Sequence, residues 1–318
     1  MKILYAANNS LSSKNQLYRF LQYNQYDIRI AAYSNTINSH YTLDSLHNIK
    51  KQNSIYFNNN NYILLYENIK KYKPDLIISD LEPFCSSIGF ELKIPVWQCS
   101  SSILNFALTK EFKKQIKLYK KYGVLIRNTN YDLYMNILNN SDKKLVYSCF
   151  GDSSVSLDIK NEFQWVRPYF DIGKKSINCK HNIVVICPNN EKNILINLKE
   201  EDDVVVFTNF SFENYKSFKL KDLNDESEYY CNLANSNMFI NNGESNYMAD
   251  AFYNAKPIVI YPNYSNIDCM ANYYILDFLG FLSQNPKDIK EIKNARYNNS
   301  VKFLHEHVDE FKEFLYGK

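Results

Sequence analysis

The stretch NMFINNGESNYMADAFYNAKPIVIYPNYSNIDCMANYYILDFLGFL, residues 237–282, predicts a strand, a tight turn and a helix in succession. Residues 238–240 are a short apolar run that is typical of a buried parallel strand, and Gly243 breaks the chain direction soon after it. From Ser245 onward, apolar residues recur at three- and four-residue steps, which indicates a helix. The backbone N–H groups at the start of such a helix can bind an anion.

The spacing of the polar residues in this stretch indicates what the anion belongs to. Gly243, Asn246 and Asp250 lie three and then four residues apart and share one face of the predicted helix. A phosphate at the helix start would leave Asp250, about two turns further on, within reach of an attached ribose diol. Asp268 and Asn272 lie four apart on a second predicted helix and can face the same space. The pattern predicts a nucleotide-sugar pocket.

This segment resembles the donor-binding half of GT-B glycosyltransferases, in their MurG-like and UDP-glycosyltransferase-like branch. The resemblance implies that the glycine turn holds the diphosphate, that Asp250 holds the ribose and that Asp268-Cys269 holds the sugar. The family usually has Gln at the position of Cys269, and many members have His at the position of Glu244. The implied donor site consists of Asn242, Gly243, Glu244, Ser245, Asn246, Asp250, Asp268, Cys269 and Asn272.

Two further segments supply weaker donor-site candidates. Asn189 and Asn190 follow a predicted strand at residues 182–187, where the resembled family has a glycine-rich turn that contacts the diphosphate. A strand predicted at residues 218–221 corresponds to the segment whose backbone reads the base in that family. Phe218 or Leu220 can pack against uracil there, and core packing is the alternative for both.

The start of the chain, MKILYAANN, predicts a strand over residues 2–7 followed by a polar loop. The strand, helix and strand that open the chain favour a doubly wound parallel sheet, which binds ligands at the carboxyl ends of its strands. The resembled family has a Gly/His-rich loop here that holds the acceptor or supplies a catalytic His, and this chain has neither residue there. The acceptor-side candidates are Asn8, Asn9, Ser10 and Ser12.

The segment SDLEP, residues 79–83, ends a buried strand predicted at residues 76–79. It resembles the Ser-Asp-Phe-Glu-Pro segment of the same glycosyltransferase branch. Its carboxylates fall at the carboxyl end of a strand, where an α/β sheet binds its ligands. Asp80 is our first candidate for the base that deprotonates the acceptor, and Glu82 is the second. The alternative is that these carboxylates are solvated or cap the next helix.

Residues 110–122, KEFKKQIKLYKKY, place lysines at helical spacing opposite an apolar stripe. One interpretation is a solvated helix face with snorkelling lysines. The other is a basic rim beside the acceptor cleft that suits DNA phosphates or an anionic membrane surface. The basic face consists of Lys110, Lys113, Lys114, Lys117 and Lys121.

The length of 318 residues is sufficient for two domains with separate cores. We predict an acceptor-side domain over residues 1–168, a donor domain over residues 169–300, and a helix over residues 301–318 that crosses back to the first domain. The predicted fold class is α/β, with two Rossmann-like doubly wound parallel-sheet domains facing a cleft, as the resemblance to the GT-B fold implies.

Composition limits the cellular setting and the partners. The sequence has no apolar window long enough for a transmembrane helix and no signal peptide, so we predict a cytoplasmic protein. Its seven cysteines are scattered and are predicted to be reduced thiols. Glycine is scarce while Asn, Lys, Ile and Tyr abound, as in the proteins of an AT-rich phage or bacterium. The net charge of +3 neither requires nor excludes a polyanionic partner.

The predicted activity is transfer of a sugar, with inversion, from a nucleoside-diphosphate sugar such as a UDP-sugar to an acceptor hydroxyl. The site is predicted to need no metal and no cofactor. A hydroxymethylated base in phage DNA is one hypothesis for the acceptor, and a lipid, a polysaccharide precursor or a small metabolite is equally compatible. The alternative functions are a nucleotide-sugar epimerase on the same fold and a non-catalytic binder of nucleotide-sugars or DNA.

Overall fold

The structure is a computed structural model of the chain, and it describes the segments that carry both sheets. The described residues are 1–7, 16–17, 20–21, 26–33, 41–43, 60–116, 131–148, 150, 158–166, 181–187, 195, 198, 203–208, 218–223, 225–254, 256, 258–262 and 266–278. The candidates Asn8, Asn9, Ser10, Ser12, Lys117, Lys121, Asn189, Asn190 and the helix predicted over residues 301–318 lie outside the described residues.

Two sheets contain the strands of the described chain. The first sheet has seven strands in the order β3-β2-β1-β4-β5-β6-β7, and the second has five in the order β10-β9-β8-β11-β12. Every strand pair in both sheets is parallel. The strands are β1 (Lys2–Ala6), β2 (Asp27–Tyr33), β3 (Tyr41–Leu43), β4 (Leu76–Ser79), β5 (Val96–Ser100), β6 (Lys143–Tyr147), β7 (Gln164–Val166), β8 (Ile183–Ile186), β9 (Val204–Thr208), β10 (Lys219–Asp222), β11 (Met238–Asn241) and β12 (Ile258–Ile260).

Described helices lie in the connections β3–β4, β4–β5, β5–β6, β10–β11 and β11–β12, as crossovers between parallel strands require. The helix predicted to follow Gly243 is present and ends at Tyr253. The described helices are α1 (Asn60–Tyr72), α2 (Pro83–Leu92), α3 (Leu104–Ala107), α4 (Lys110–Gln115), α5 (Tyr131–Asn140), α6 (Glu226–Asn235), α7 (Ser245–Tyr253) and α8 (Ile267–Phe278), with a 3-10 turn at Ser101–Ile103.

Each sheet reverses its strand order at one place. In the first sheet the reversal lies between β1 and β4, where Ala6 pairs with Ser79, and in the second it lies between β8 and β11, where Val185 pairs with Ile240. Sheets of this kind bind ligands beyond the carboxyl ends of the strands at such a switch point. The predicted pair of Rossmann-like parallel sheets is confirmed, and the turns after β4 and β11 both lie at a switch point.

The core of each sheet follows from the apolar runs that form its strands. In the first sheet, strand residues such as Leu4, Ile77 and Val96 pack against Ile69 of α1 and Ile88 of α2. In the second, the buried cluster is built from β8, β9, β11 and β12. Burial of these runs on both faces is what covering helices on a parallel sheet produce.

The chain divides into two compact units. The first unit comprises Met1–Thr109, Val124–Tyr147 and Ile159–Val166, and the second comprises Lys110–Gly123, Ser148–Asp158 and Arg167–Lys318. The main change between units, at residues 166 and 167, lies close to the domain boundary predicted at residue 168. The lysine segment, which was expected in the first domain, belongs to the second unit.

The cysteines and the helices bear on two predictions about the cellular setting. Cys85, Cys99, Cys187 and Cys269 are free thiols, as predicted. Cys231 is disulfide-bonded, so the prediction that all the cysteines are reduced is wrong for this residue. Within the described residues, no helix has the length and apolar character needed to cross a bilayer.

Candidate functional site

The turn between β11 and α7 is built around Gly243. Its φ of +94° lies in a region that residues other than glycine rarely adopt. A Cβ atom at this position would lie 2.8 Å from the carbonyl oxygen of Cys269 and 3.2 Å from its Cα. Because these are backbone atoms of α8, a side chain here could not be accommodated by a rotamer change. Glycine therefore allows the starts of α7 and α8 to pack directly against each other.

Two asparagine side chains bind the amides of this turn. The N–H of Gly243 donates to Oδ1 of Asn241 at 2.6 Å, and the N–H of Glu244 donates to Oδ1 of Asn242 at 3.3 Å. Both are local turns in which a side chain replaces an external acceptor. This corrects the expectation that these two amides point freely at a phosphate. An anion would have to displace the asparagine oxygens to use them.

The first turn of α7 lacks a side-chain hydrogen bond from its own N-cap residue. Glu244 is the N-cap residue of α7, and its side chain accepts no hydrogen bond from the first turn. Asn272 of α8 instead reaches the turn, where its Nδ2 donates to the carbonyl oxygen of Gly243 at 2.8 Å and to Oγ of Ser245 at 3.0 Å. Asn272 thus reaches the turn from a second helix, while its facing a donor pocket together with Asp268 stays a prediction.

Asp250 is fully buried and is bound by two tyrosines. Its Oδ2 accepts a hydrogen bond from the Tyr229 hydroxyl at 3.0 Å, and its Oδ1 accepts one from the Tyr230 hydroxyl at 3.2 Å. Both tyrosines lie on α6, so the carboxylate ties α7 to α6. The ribose-binding role expected for Asp250 is not tested by these contacts. They show that both oxygens already have a structural function.

Three other predicted donor-site residues lie on α7 or α8. Cys269 is fully buried, its backbone leaves no room for a Cβ at Gly243, and its contact with the sugar stays a prediction. Asp268 is half-buried in the first turn of α8, where its N–H donates to Oδ1 of Asn266 at 2.8 Å. Asn246 is buried on α7 beside the turn.

The two candidates for base stacking lie at the edge strand β10. Phe218 packs against the apolar cluster of the second sheet, which is the core-packing alternative. Leu220 is 37% exposed on β10. A role in contacting a base stays a prediction for Leu220.

In the first unit, Glu82 is a helix cap. Its Oε1 accepts a hydrogen bond from the Phe84 N–H at 3.0 Å, and its Oε2 accepts one from the Cys85 N–H at 2.7 Å. The side chain is fully buried at the start of α2. Both oxygens accept hydrogen bonds from amide groups at the helix start. Glu82 is therefore poorly placed to act as a base, which corrects its ranking as second candidate. The capping alternative predicted for this segment is confirmed for Glu82.

Asp80 lies at the switch point of the first sheet. Its N–H donates to the Ala6 carbonyl oxygen of β1 at 2.9 Å, and its side chain is 4% exposed. Burial, and secondly the Asp80 carboxylate, raise the pKa of the neighbouring Cys99 thiol, so this cysteine remains protonated. Nε2 of Gln16 also reaches this point and donates to the Cys99 carbonyl oxygen at 3.0 Å.

A buried polar network supports the turn that carries Asp80. Leu81 has a φ of +51°, and its N–H donates to Oε1 of Gln98 at 3.1 Å. Nε2 of Gln98 donates to the Ser86 hydroxyl at 2.8 Å, and that hydroxyl donates to the Glu82 carbonyl oxygen at 2.5 Å. Sequence reasoning missed Gln98. A polar residue near the carboxyl end of an otherwise buried strand was the available signal.

The basic face predicted for the lysine segment is interrupted. Lys110 and Lys114 are exposed, whereas Lys113 is 9% exposed and does not belong to a solvated face. The apolar stripe is confirmed by the burial of Phe112 and Ile116, and the Phe112 ring packs edge-on against Phe278 of α8 at 5.6 Å between centroids. Among the described residues, no group of three or more His, Cys, Asp or Glu side chains is arranged to hold a metal.

Comparison with known proteins extends these observations. No protein-family model matches the sequence, and no curated protein sequence matches it. The fold of the spinosyn forosaminyltransferase SpnP superposes with a TM-score of 0.61 at 12% identity, covering 96% of this chain and 94% of that one. The SsfS6 glycosyltransferase of Streptomyces sp. SF2575, complexed with thymidine diphosphate, superposes with a TM-score of 0.57 at 10% identity, covering 96% and 94%.

A third solved structure is the UDP co-structure of S. aureus MnaA, with a TM-score of 0.54 at 11% identity, covering 99% of this chain and 97% of that one. At these identities the likenesses establish the fold. The chain has the GT-B fold that the resemblance implied, over nearly its whole length.

Proposed function

We propose that this protein is a glycosyltransferase that uses a nucleoside-diphosphate sugar. The observation that carries the proposal is the start of α7, a nine-residue helix at the switch point of the second sheet whose N-cap carboxylate accepts no hydrogen bond from its first turn. A helix start of this kind attracts a diphosphate. The GT-B fold supports the assignment, as do the nucleoside diphosphates named in two similar structures.

The chemical step needs an acid–base partner and a stabilised leaving group. The acceptor oxygen forms a bond to the anomeric carbon, its proton passes to a base, and the bond from that carbon to the diphosphate oxygen breaks with its electron pair. Helix α7 stabilises the charge that develops on the diphosphate without a metal. We assign the base to Asp80, since Glu82 is committed to capping α2. Attack opposite the leaving group inverts the anomeric carbon.

The donor can be identified before any acceptor is known. Thermal unfolding would be followed in the presence of UDP-, TDP- and GDP-sugars, with the free nucleosides as controls. Because a ligand that binds the folded state at 100 times its Kd adds about 2.7 kcal/mol of stability, a true donor raises Tm measurably. We expect a UDP-sugar or a TDP-sugar to do so. No shift with any of the three classes would overturn the proposal.

The reaction class follows from the products formed with the donor so identified. Slow release of the nucleoside diphosphate, accelerated by an acceptor, is the expected result. Formation of an epimeric nucleotide-sugar would make the protein an epimerase. Binding without turnover would make it a non-catalytic nucleotide-sugar binder.

A hydroxymethylated base in DNA is the acceptor that we propose to test first. The amino-acid composition, which is typical of proteins from AT-rich genomes such as those of some phages, supports this acceptor, as do the exposed Lys110 and Lys114. Duplexes with and without hydroxymethylcytosine would be offered with the donor, and sugar transfer would be expected for the first alone. Binding should weaken with salt by about 0.9 logarithmic units of affinity per tenfold salt for each phosphate contacted. Salt-independent binding, or no transfer to the modified duplex, would exclude DNA as the acceptor.

A further inference from the structure

We propose that Asn272 is a positioning residue that orients the hydrogen-bond donors of the diphosphate turn, an inference that rests on the proposed function. Asn272 is fully buried on α8 and lies on the same helix as Asp268, one turn further along. Its amide group makes two hydrogen bonds to the turn, to Gly243 and to Ser245. Each of these bonds fixes the direction of a different donor.

The orientation of the Asn272 amide is unambiguous. The Gly243 carbonyl oxygen can only accept a hydrogen bond, so the atom that faces it at 2.8 Å must be Nδ2. The same nitrogen has a second hydrogen and donates it to Oγ of Ser245 at 3.0 Å. Both hydrogens of the amide are therefore used on the turn.

The first bond sets the direction of the Glu244 amide. The peptide unit between Gly243 and Glu244 is planar and trans, so its carbonyl oxygen and its N–H point in opposite directions. Because Asn272 holds the carbonyl oxygen toward α8, the Glu244 N–H must point away from α8. In this structure that N–H donates to Oδ1 of Asn242 at 3.3 Å, a long contact that an anionic acceptor can replace.

The second bond sets the role of the Ser245 hydroxyl. A hydroxyl oxygen that accepts a hydrogen bond still has its own proton to donate. Within the described part of the chain, the Ser245 hydroxyl accepts from Asn272 and donates to no other group. Asn272 thereby keeps the Ser245 proton available at the start of α7, where a phosphate oxygen is the acceptor that the helix favours.

The remaining polar atom of the Asn272 side chain, Oδ1, is energetically unfavourable where it lies. Oδ1 of Asn272 is buried without a hydrogen-bond partner. A leucine has a similar branched shape and would not bury a polar atom that lacks a partner. We infer that the amide is present for the two donations that it makes to the turn.

The same unit offers a matched control in Asn232. This residue is also a buried helical asparagine, its Nδ2 donates to the Glu228 carbonyl oxygen at 2.8 Å, and its Oδ1 is buried without a partner. The bond of Asn232 stays within α6, however, and reaches no part of the turn. Asn232→Leu should therefore resemble Asn272→Leu in its effect on folding and differ from it in its effect on ligand binding.

The experiment measures the affinity of wild type, Asn272→Leu and Asn232→Leu for UDP and for uridine, with TDP and thymidine as a second pair. For Asn272→Leu we expect the Kd of the diphosphate to rise about 10- to 100-fold while that of the nucleoside changes less than about threefold. Asn232→Leu should leave both affinities near those of wild type. Only loss of phosphate-directed donors separates the two ligands in this way, because a general disturbance of the domain would weaken both.

A second variant tests the Ser245 step and does not depend on the folding of the first. Ser245→Ala should also weaken the diphosphate and spare the nucleoside. The double variant with Asn272→Leu should lose less than the product of the two single losses, because the two residues act through one hydroxyl. If Asn272→Leu does not fold, retention of full diphosphate affinity by Ser245→Ala would overturn the inference.

The outcomes separate this inference from the proposed function. If wild type binds none of these diphosphates or their sugars, the proposed function fails. If wild type binds a diphosphate and Asn272→Leu binds it equally well, the proposed function stands and the role of Asn272 is refuted. Equal losses for diphosphate and nucleoside would also refute that role.

Discussion

The turns after β4 and β11 have the same backbone construction but differ in how the N-cap glutamate of the following helix is used. Each follows the strand next to the switch point of its sheet, and each has a residue with positive φ, Leu81 at +51° and Gly243 at +94°. In each, a glutamate is the N-cap residue of the next helix. Glu82 places both carboxylate oxygens on amides of α2, whereas Glu244 places neither on the first turn of α7.

This difference assigns different chemistry to the two turns. The start of α2 already has a carboxylate in the place that a bound anion would take, so another anion there would be repelled. The Gly243 and Glu244 amides before α7 donate to neutral asparagine oxygens, and neutral acceptors are easier to displace than a buried charge. An anion site is thus favoured in the second unit, and a base that acts on a neutral hydroxyl is favoured in the first.

The largest effect that would test this division is on turnover. Asp80→Asn should reduce transfer by about 100- to 10,000-fold, because a positioned base contributes rate enhancements of that size. Donor affinity should be unchanged. The measurement is the rate of nucleoside diphosphate release from the donor identified by thermal shift, together with its Kd.

Glu82→Gln is the matched control for Asp80→Asn. It should retain turnover within a few-fold, since Glu82 serves as a cap. Loss of turnover in Glu82→Gln with retention in Asp80→Asn would reverse the roles that we assign to the two carboxylates.

The second effect concerns the turn of the second unit. Gly243→Ala should lower the free energy of unfolding by about 2 to 4 kcal/mol, because its Cβ meets backbone atoms and its φ is unfavourable for alanine. It should also abolish diphosphate binding. Chemical denaturation and ligand titration would measure the two losses.

Gly89→Ala is the control for this prediction. A Cβ at Gly89 would approach side-chain atoms of Val96 and Ile77, and Gly89 lies within α2. Because the Cβ would lie 2.5 Å from Val96 Cγ2 in the buried core, Gly89→Ala should also destabilise the protein, but it should leave diphosphate binding unchanged. Normal binding by Gly243→Ala would show that the turn is not the anion site.

The third effect is on the stability of the first unit. Glu82→Ala should lower the free energy of unfolding by about 2 to 3 kcal/mol, since two buried charge-assisted hydrogen bonds are lost. Asp225→Ala removes an exposed cap whose Oδ1 accepts hydrogen bonds from the Glu228 N–H and the Ser227 hydroxyl, both at 3.1 Å, and a loss of about 1 kcal/mol is expected. Urea denaturation of the pair measures the difference, and equal losses would mean that Glu82 does not close α2 as described.

The smallest effect is a dependence of stability on alkaline pH. Burial, and secondly the Asp80 carboxylate, raise the pKa of Cys99 above its ordinary value of 9.0 in the folded state. The thiol therefore ionises first in the unfolded chain, and stability that is complete below pH 9 falls as the pH rises. Between pH 8 and pH 10 the wild type should lose about 1 kcal/mol more than Cys99→Ala. Parallel losses would place Cys99 in a more polar setting than the structure shows.

Much of the fold was predictable because apolar runs and turn residues act locally. The runs at residues 76–79 and 238–240 predicted buried strands at or within one residue of the observed bounds. Helix α6 was missed because Asn232, a polar residue, occupies one of its buried positions and interrupts the apolar period. The strand β3 was missed as well, and its three residues give little periodic signal.

The candidate site was less predictable, since its contacts join residues that are distant in the sequence. Tyr229 and Tyr230 bind Asp250 from another helix, and no spacing rule connects them. Nζ of Lys256, which lies just after α7, donates to the carbonyl oxygens of Ala234 and Ser236 at the end of α6. Such partners become neighbours only when the helices pack.

The sequence by itself determined the two parallel sheets, the turn at Gly243 and the position of Asp80 at a strand end, because strand burial and glycine conformation depend on residues that are close in the chain. The tertiary structure alone decided that Glu82 closes its helix, that Glu244 does not close its own, and that Asn272 orients the second turn. A carboxylate or amide acts according to the donors and acceptors that surround it, and packing brings those together from separate segments.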